Sequence, residues 1–340
     1  MNAMKRRDTA IDIAKGIGII LVVFGHTFQI YSVTSYVYAF HMPCFFLLSG
    51  YTFNIQKYLR DPARFLKRNF LRLMVPYFGA AIFSYILYVY LSPILSLPEI
   101  TASAATLGIL NGNGINLPFN NVLWFLPAFF FAGLIFLALG FMFKGIRLLI
   151  GVILVSVSGI IIGLSYHLPF GFDIAMTTQF FIYCGHVFRE ADLLEKTKRS
   201  LNRGFLTCIA FLAMLVMFVF SSVNGRVDLM TRVYGQPAIF FVAGLSGSVS
   251  VLMVSLFLSI EGLQYNYFGK IWQIIGKASM FTFISHIPIF YCVASACALL
   301  WGFWIYYTFV SYWYLLFIIG VSVPTLIYVL VTFTRNKKNR

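Results

Sequence analysis

Charge is what this sequence has least of. Only 10% of its 340 residues are Asp, Glu, Lys or Arg, while 60% are hydrophobic; a soluble domain carries roughly 25% charged residues. That shortage excludes both a soluble globular protein and a disordered chain, neither of which keeps so much apolar surface in water. Acidic residues are the scarcer sign, 10 against 25 basic ones. Cysteine is sparse as well. Cys44, Cys184, Cys208, Cys292 and Cys297 are odd in number, form no CxxC pair and lie in apolar segments. They imply neither a disulfide framework nor a metal site, and are expected to be small packing residues. Also missing is any polar stretch long enough to bury a core of its own, and any internal repeat of 20–50 residues. One short echo exists, His41-Met42-Pro43-Cys44-Phe45 and His286-Ile287-Pro288-Ile289-Phe290, and chance suffices for five residues in two copies.

What is present is a succession of apolar runs of membrane-crossing length, about 20 residues each. Ten candidate spans cover roughly 10–31, 33–53, 73–97, 122–142, 148–168, 172–188, 205–222, 237–260, 279–301 and 309–333, the sixth being short. The expected fold class is an all-α membrane protein, a single polytopic bundle of about ten transmembrane helices over 1–340. Lys5, Arg6 and Arg7 ahead of the first run imitate a signal peptide. Asp12 and Lys15 interrupt that run and no small-residue cleavage pattern follows, so a retained first helix is expected.

A net charge of +15 would suggest nucleic-acid binding in a soluble protein. Here the basic residues form short clusters between apolar runs, without a nucleic-acid-binding motif, and no nucleic-acid partner is expected. The clusters follow the positive-inside rule. With the N-terminus inside, 22 Lys and Arg fall on inner segments and two, Arg226 and Arg232, on outer ones, with Lys15 inside a span. Both termini are therefore expected to be cytoplasmic.

Ionisable groups at bilayer depth cost several kcal/mol and usually face the bundle interior or a cavity. The first helix carries Asp12, Lys15 and His26. At ~100° per residue, Lys15 and Asp12 lie about 20° and 40° from His26 around the helix, so all three share one stripe. His26 would sit about 24 Å from the inner end of its helix, and His41, descending on the next, about 12 Å from the outer end. The two imidazoles are thus candidate neighbours, and a histidine there suits a general base or a nucleophile. The alternatives are a satisfied histidine bonding across helices and, for His41, a kink at Pro43. His286 is a third candidate, whereas His167 and His186 fall near span ends and are expected at the interface.

Two further constellations stand out. Arg64, Lys67, Arg68 and Arg72 precede the third span, with Arg64, Arg68 and Arg72 spaced i, i+4, i+8 on one helical face. Such a face suits the phosphates of a nucleotide-containing cofactor, or simply orientation and anionic membrane lipid. The outer loop 98–121 is rich in Asn and Gly, including Asn111, Asn113, Asn116, Asn120 and Asn121. It reads either as an amide surface for a sugar or as ordinary turn chemistry.

In order along the chain, RRDTAIDIAKGIGIILVVFGH ending in Gly25-His26, FHMPCFFLLSGY, RFLKRNFLRLMVPYF, NVLWFLPAFF and IGKASMFTFISHIPIF resemble the motifs of the acyltransferase-3 family of integral membrane acyltransferases. The fucose 4-O-acetylase-like branch is the most similar. The resemblance implies an O-acetyltransferase that moves an acetyl or similar group from cytosolic acetyl-CoA to a hydroxyl of an extracytoplasmic or lipid-linked glycan. It implies a bacterial cytoplasmic membrane, with polysaccharide biosynthesis proteins as possible partners and no metal. His26 falls on the family's catalytic histidine and the Arg64–Arg72 run on its cytoplasmic arginines. A related branch has an acid after its Trp, but Trp124-Phe125-Leu126-Pro127-Ala128-Phe129 has none. The group that orients His26 must come from elsewhere, with Asp12 and Asp173 as candidates.

On this reading Asp12, Lys15, His26 and His41 are the expected catalytic set, and Arg64, Lys67, Arg68 and Arg72 bind the acyl donor. Ser49, Asn121, Trp124 and His286 are expected at the acceptor, with Lys15, Ser49 and Asn121 as possible oxyanion donors. Direct transfer and an acyl-histidine intermediate both remain open. So do two alternatives: a succinyl donor met by a cation such as Lys15, and an exporter of a glycan or lipid-linked sugar. The missing internal repeat weighs against the exporter.

Overall fold

The structure is a computed structural model that describes residues 8–28, 30–194, 197, 203–259, 267–302 and 310–338. The basic residues Lys5, Arg6, Arg7, Lys196, Lys198, Arg199 and Arg340 of the inner clusters lie outside these. Every regular element among the described residues is helical, apart from one antiparallel bridge between Asp228 and Val233. Asp8 starts α1 (Thr9–Thr27) by accepting the Ala10 amide at 3.0 Å, which satisfies an otherwise orphaned helix-start donor. There follow α2 (Tyr31–Thr52), short α3 (Ile55–Arg60) and α4 (Pro62–Asn69), which passes through a π turn at Phe70–Met74 into α5 (Val75–Leu95). Next come α6 (Ala102–Asn111), α7 (Phe125–Met142), α8 (Ile146–Ser165), α9 (Phe172–Thr177) and α10 (Gln179–Glu190). The chain ends with α11 (Arg203–Asn224), α12 (Pro237–Ser259), α13 (Tyr267–Trp301) and α14 (Trp313–Lys338).

Among the described residues eight helices are long and apolar enough to cross a membrane, and the chain is an all-α polytopic membrane protein. The ten-span reading differs from these eight at two places. The second span, α2, has 22 residues, about 33 Å of helix, but its polar residues dilute its hydropathy. The sixth is broken into α9 and α10 at Thr178. There Thr177, Thr178 and Gln179 bond back to the carbonyls of Asp173 (3.0 Å), Ile174 (2.9 Å) and Ala175 (2.7 Å), competing with the helix's own amides. The Phe180 amide turns instead to Ser156 Oγ at 3.1 Å. His186, expected at an interface, is buried beside the Phe136 ring.

Within their apolar stretches 72% of the Asn121–Met142 span and 56% of α1 and of α12 are buried but only 17% of α14, so these three lie inside the bundle and α14 at its rim. α1 packs against α2, α12, α13 and α14. Small residues allow this approach, because apolar attraction between helices is lost in lipid and close packing replaces it. A Cβ on Gly16 would lie 2.6 Å from the Trp272 carbonyl oxygen, and one on Gly276 would strike the Asp12 carbonyl. The α2–α10 crossing is reciprocal: Gly50 meets the carbonyl of Ile182 and Gly185 that of Leu47. Outward faces carry apolar side chains such as Leu154, Ile161, Phe211 and Val219. Gly185→Val should push α2 and α10 apart at a cost of about 1–3 kcal/mol, lowering the melting temperature of the purified protein in detergent; unchanged melting would contradict the crossing.

Candidate active site

A cavity of about 250 Å³ opens where the C-terminal end of α1, the middle of α2, the 3₁₀ turn Asn121–Trp124 and the connector between α11 and α12 converge. His26, Tyr38, His41, Asn121, Arg226 and Asp228 supply its polar walls, with Trp124 and Phe283 beside them. His26 and His41, expected as neighbours, do share it, with Tyr38 beside both: its ring is 4.9 Å from that of His41 and 6.5 Å from that of His26. The imidazole nearest His26, however, is His286, at 5.4 Å between ring centroids.

The two halves of the sequence echo adopt one local arrangement. His41 Nδ1 lies 2.8 Å from the Val37 carbonyl oxygen and His286 Nδ1 lies 3.0 Å from that of Thr282. A carbonyl can only accept, so in each ring Nδ1 carries the proton and Nε2 is left with its lone pair. The prolines that follow each remove an intrahelical donor. Pro288 frees the Ile284 carbonyl, which accepts from Asn120 Nδ2 at 3.1 Å; Asn120 also donates to Ser84 Oγ at 2.9 Å. The turn that carries Asn121 and Trp124 is thereby tied to the helix that carries His286.

Residues 225–236 form the strap over the cavity. Arg232 is its anchor: Nε donates to Asp173 Oδ2 at 2.8 Å, Nη2 to Asp173 Oδ1 at 3.0 Å and to Asn113 Oδ1 at 2.7 Å, all buried. Two connectors and the first turn of α9 are pinned together by this one guanidinium. Arg226 sits 3.9 Å above the Tyr38 ring and donates to Thr34 Oγ1 at 3.3 Å, a cation–π contact on the cavity wall. Asp228 accepts from the Met230 amide at 3.0 Å and shapes the turn. Burial raises its carboxyl above the usual carboxylate range, against the Thr231 amide, the Arg226 charge and the Met230 amide.

The other expected site residues are dispersed. Asp12 and Lys15 are about 21 Å and 16 Å from His26 along α1 at ~1.5 Å per residue, and neither lines the cavity. Ser49 is about 12 Å beyond His41 along α2. Asp173 is held by Arg232 and is not available to orient His26. Arg64, Lys67, Arg68 and Arg72 are exposed, with Arg68 5.8 Å above the Tyr58 ring. The π turn starting at Phe70 interrupts the i, i+4 register before Arg72. In the Asn-rich loop, Asn111 Oδ1 accepts from Asn113 and Asn116, at 2.6 and 3.2 Å, so these amides build the loop. Tyr38, Arg226 and Asp228 were not singled out from the sequence. The available signal was that the positive-inside reading puts two cations, Arg226 and Arg232, on its sparsely charged side, where a lone charge needs a reason.

Residues 8–329 match the model of the acyltransferase-3 family, described as an acyltransferase domain. No curated protein and no solved structure matches the chain.

Replacing Arg232 alone or Asp173 alone by Leu leaves a buried charge unpaired, a loss of about 3–5 kcal/mol, and should loosen the strap. The double replacement should melt closer to the wild type than either single one; additive losses in detergent would contradict the pairing.

Proposed function

The chain belongs to the acyltransferase-3 family, and from that membership we propose that it is an O-acetyltransferase acting on a glycan or lipid-linked sugar. As an integral membrane acyltransferase it has two tasks: to hold an acyl donor and to activate an acceptor. We assign activation to His26, on the observation that it shares one cavity with His41, Asn121, Trp124 and Arg226. Its ring takes the proton of the acceptor hydroxyl, the oxygen attacks the thioester carbonyl, and the new C–O bond forms as the C–S bond breaks. The proton on His26 then passes to the departing thiolate. Asn121 and Arg226 are the donors on the cavity wall suited to the oxyanion. Trp124 and Tyr38 offer ring faces to a sugar.

The donor in this reading is acetyl-CoA from the cytosol of a bacterium, with both chain termini on the same side. Arg64, Lys67 and Arg68, exposed on one short helix, suit its phosphates. The donor's long thioester arm would run beside α1 towards His26, so the charged part never enters the bilayer.

Vesicles supplied with labelled acetyl-CoA and a crude glycan should transfer label into the glycan. His26→Ala should lower that transfer by about 100-fold or more at equal protein level. Transfer retained by His26→Ala would remove this histidine from the chemistry; glycan movement without transfer from acetyl-CoA or succinyl-CoA would favour the exporter. Arg64→Ala/Arg68→Ala should raise KM for the donor while leaving kcat within about twofold, and an unchanged KM would detach this face from donor binding.

A further inference from the structure

His286 Nε2 is buried and has no hydrogen-bond partner. An orphaned acceptor of this kind in a well-packed interior calls for an explanation. Nδ1 is committed to the Thr282 carbonyl at 3.0 Å, which fixes the lone pair on Nε2. Phe283 and Phe290 flank the ring, at 6.2 and 5.6 Å between centroids, and its remaining ring contact is His26 at 5.4 Å. An N–H···N bond of about 2.9 Å, with about 1.1 Å from each nitrogen to its ring centre, places imidazole centroids roughly 5.1 Å apart. The two rings, inclined at 44°, stand within about 0.3 Å of that separation.

We propose that His286 is the positioning residue of His26: its Nε2 accepts the N–H of His26 and so holds the other His26 nitrogen, as a free base, towards the cavity. This rests on the reading of His26 as the base. It explains how the site works with no carboxylate bonded to that histidine among the described residues. Asp173 is locked to Arg232, Asp12 lies at the far end of α1, and Asp228 turns an oxygen to the Met230 amide. The polar groups that share the cavity with His26 are His41 and Tyr38 from α2, Asn121 from the 3₁₀ turn and Arg226 and Asp228 from the strap, and His286 from α13 lies against its ring. Of these, His286 is the one with a buried, unspent acceptor. When His26 takes the acceptor's proton, its second N–H remains on His286, which stays neutral throughout. Position is secured from behind, since α13 is tied through the Ile284 carbonyl to Asn120.

The test compares wild type, His286→Leu and His286→Gln, the last keeping an acceptor near the place of Nε2. The full-length protein, labelled with ¹⁵N-histidine in lipid nanodiscs, reports the tautomer of His26, assigned by loss of its signals in His26→Ala. His26 should show one protonated and one bare nitrogen in the wild type and in His286→Gln, and averaged nitrogens in His286→Leu. With acetyl-CoA and glycan, kcat should fall roughly 10- to 100-fold in His286→Leu, as expected for one buried hydrogen bond, with KM unchanged and with substantial recovery in His286→Gln. Identical His26 signals in all three proteins, or a Gln variant as impaired as the Leu variant, would overturn the assignment. Where the Leu variant does not fold, His286→Asn, whose amide ends one bond short, takes its place with the same expectation. If the wild type transfers no acyl group, the proposed function fails while the nitrogen spectra still decide the histidine pair.

Discussion

A polar side chain held inside hydrocarbon has no water to bond to, and must find its partner within the protein or border a cavity. Much of this molecule follows from that constraint. Arg232 could not be buried without the carboxylate of Asp173 and the amide of Asn113, and that need pins two connectors to the start of α9. The carbonyl released by Pro288 could not be left bare, and Asn120 reaches across to it. His41 and His286 each spend Nδ1 on their own helix. What remains uncommitted gathers where α1, α2, α13 and the strap meet, and that is where the chemistry is placed.

The same constraint explains how the scaffold can be both tightly packed and reactive. Glycine contacts at Gly16, Gly276, Gly50 and Gly185 bring backbones together, which fixes helix positions without polar side chains. Polar side chains are then free to act near the ends of the helices. The break at Thr178 is a local instance, where three successive polar side chains satisfy carbonyls that a continuous helix would have used. It lies one turn from Asp173, so the broken helix also supplies the anchor of the strap.

Much of this was legible in the sequence. The apolar runs and the bias of basic residues gave the membrane class, and the stripe on the first helix marked His26. His41 was marked by its depth inside the second span and Asn121 and Trp124 by a motif at the start of the fourth, and all three do line the cavity. Asp12 and Lys15 share His26's stripe in angle but not in height, because a helix separates residues along its axis as well as around it. Arg226 and Asp228 lie more than 180 residues from His26, in a connector whose approach depends on the Arg232 anchor; spacing along the chain carries no trace of such a contact. His286 was visible as a candidate, but its role depends on which nitrogen is spent on Thr282, which only the fold reveals. The Asn-rich loop read as a sugar surface or, somewhat better, as a turn; Asn111, Asn113 and Asn116 bond one another, while Asn121 lines the cavity.

The central claim is that an acyl group from the basic face reaches the histidine cavity. The most direct measurement is photo-cross-linking with an acyl-CoA carrying a diazirine at the end of its acyl chain, followed by peptide mapping of the membrane-embedded protein. The account predicts cross-links on Val22–His26 and Asn121–Trp124, competed away by acetyl-CoA. Cross-links confined to the Arg64–Arg72 face, with none at the cavity under the same competition, would contradict it.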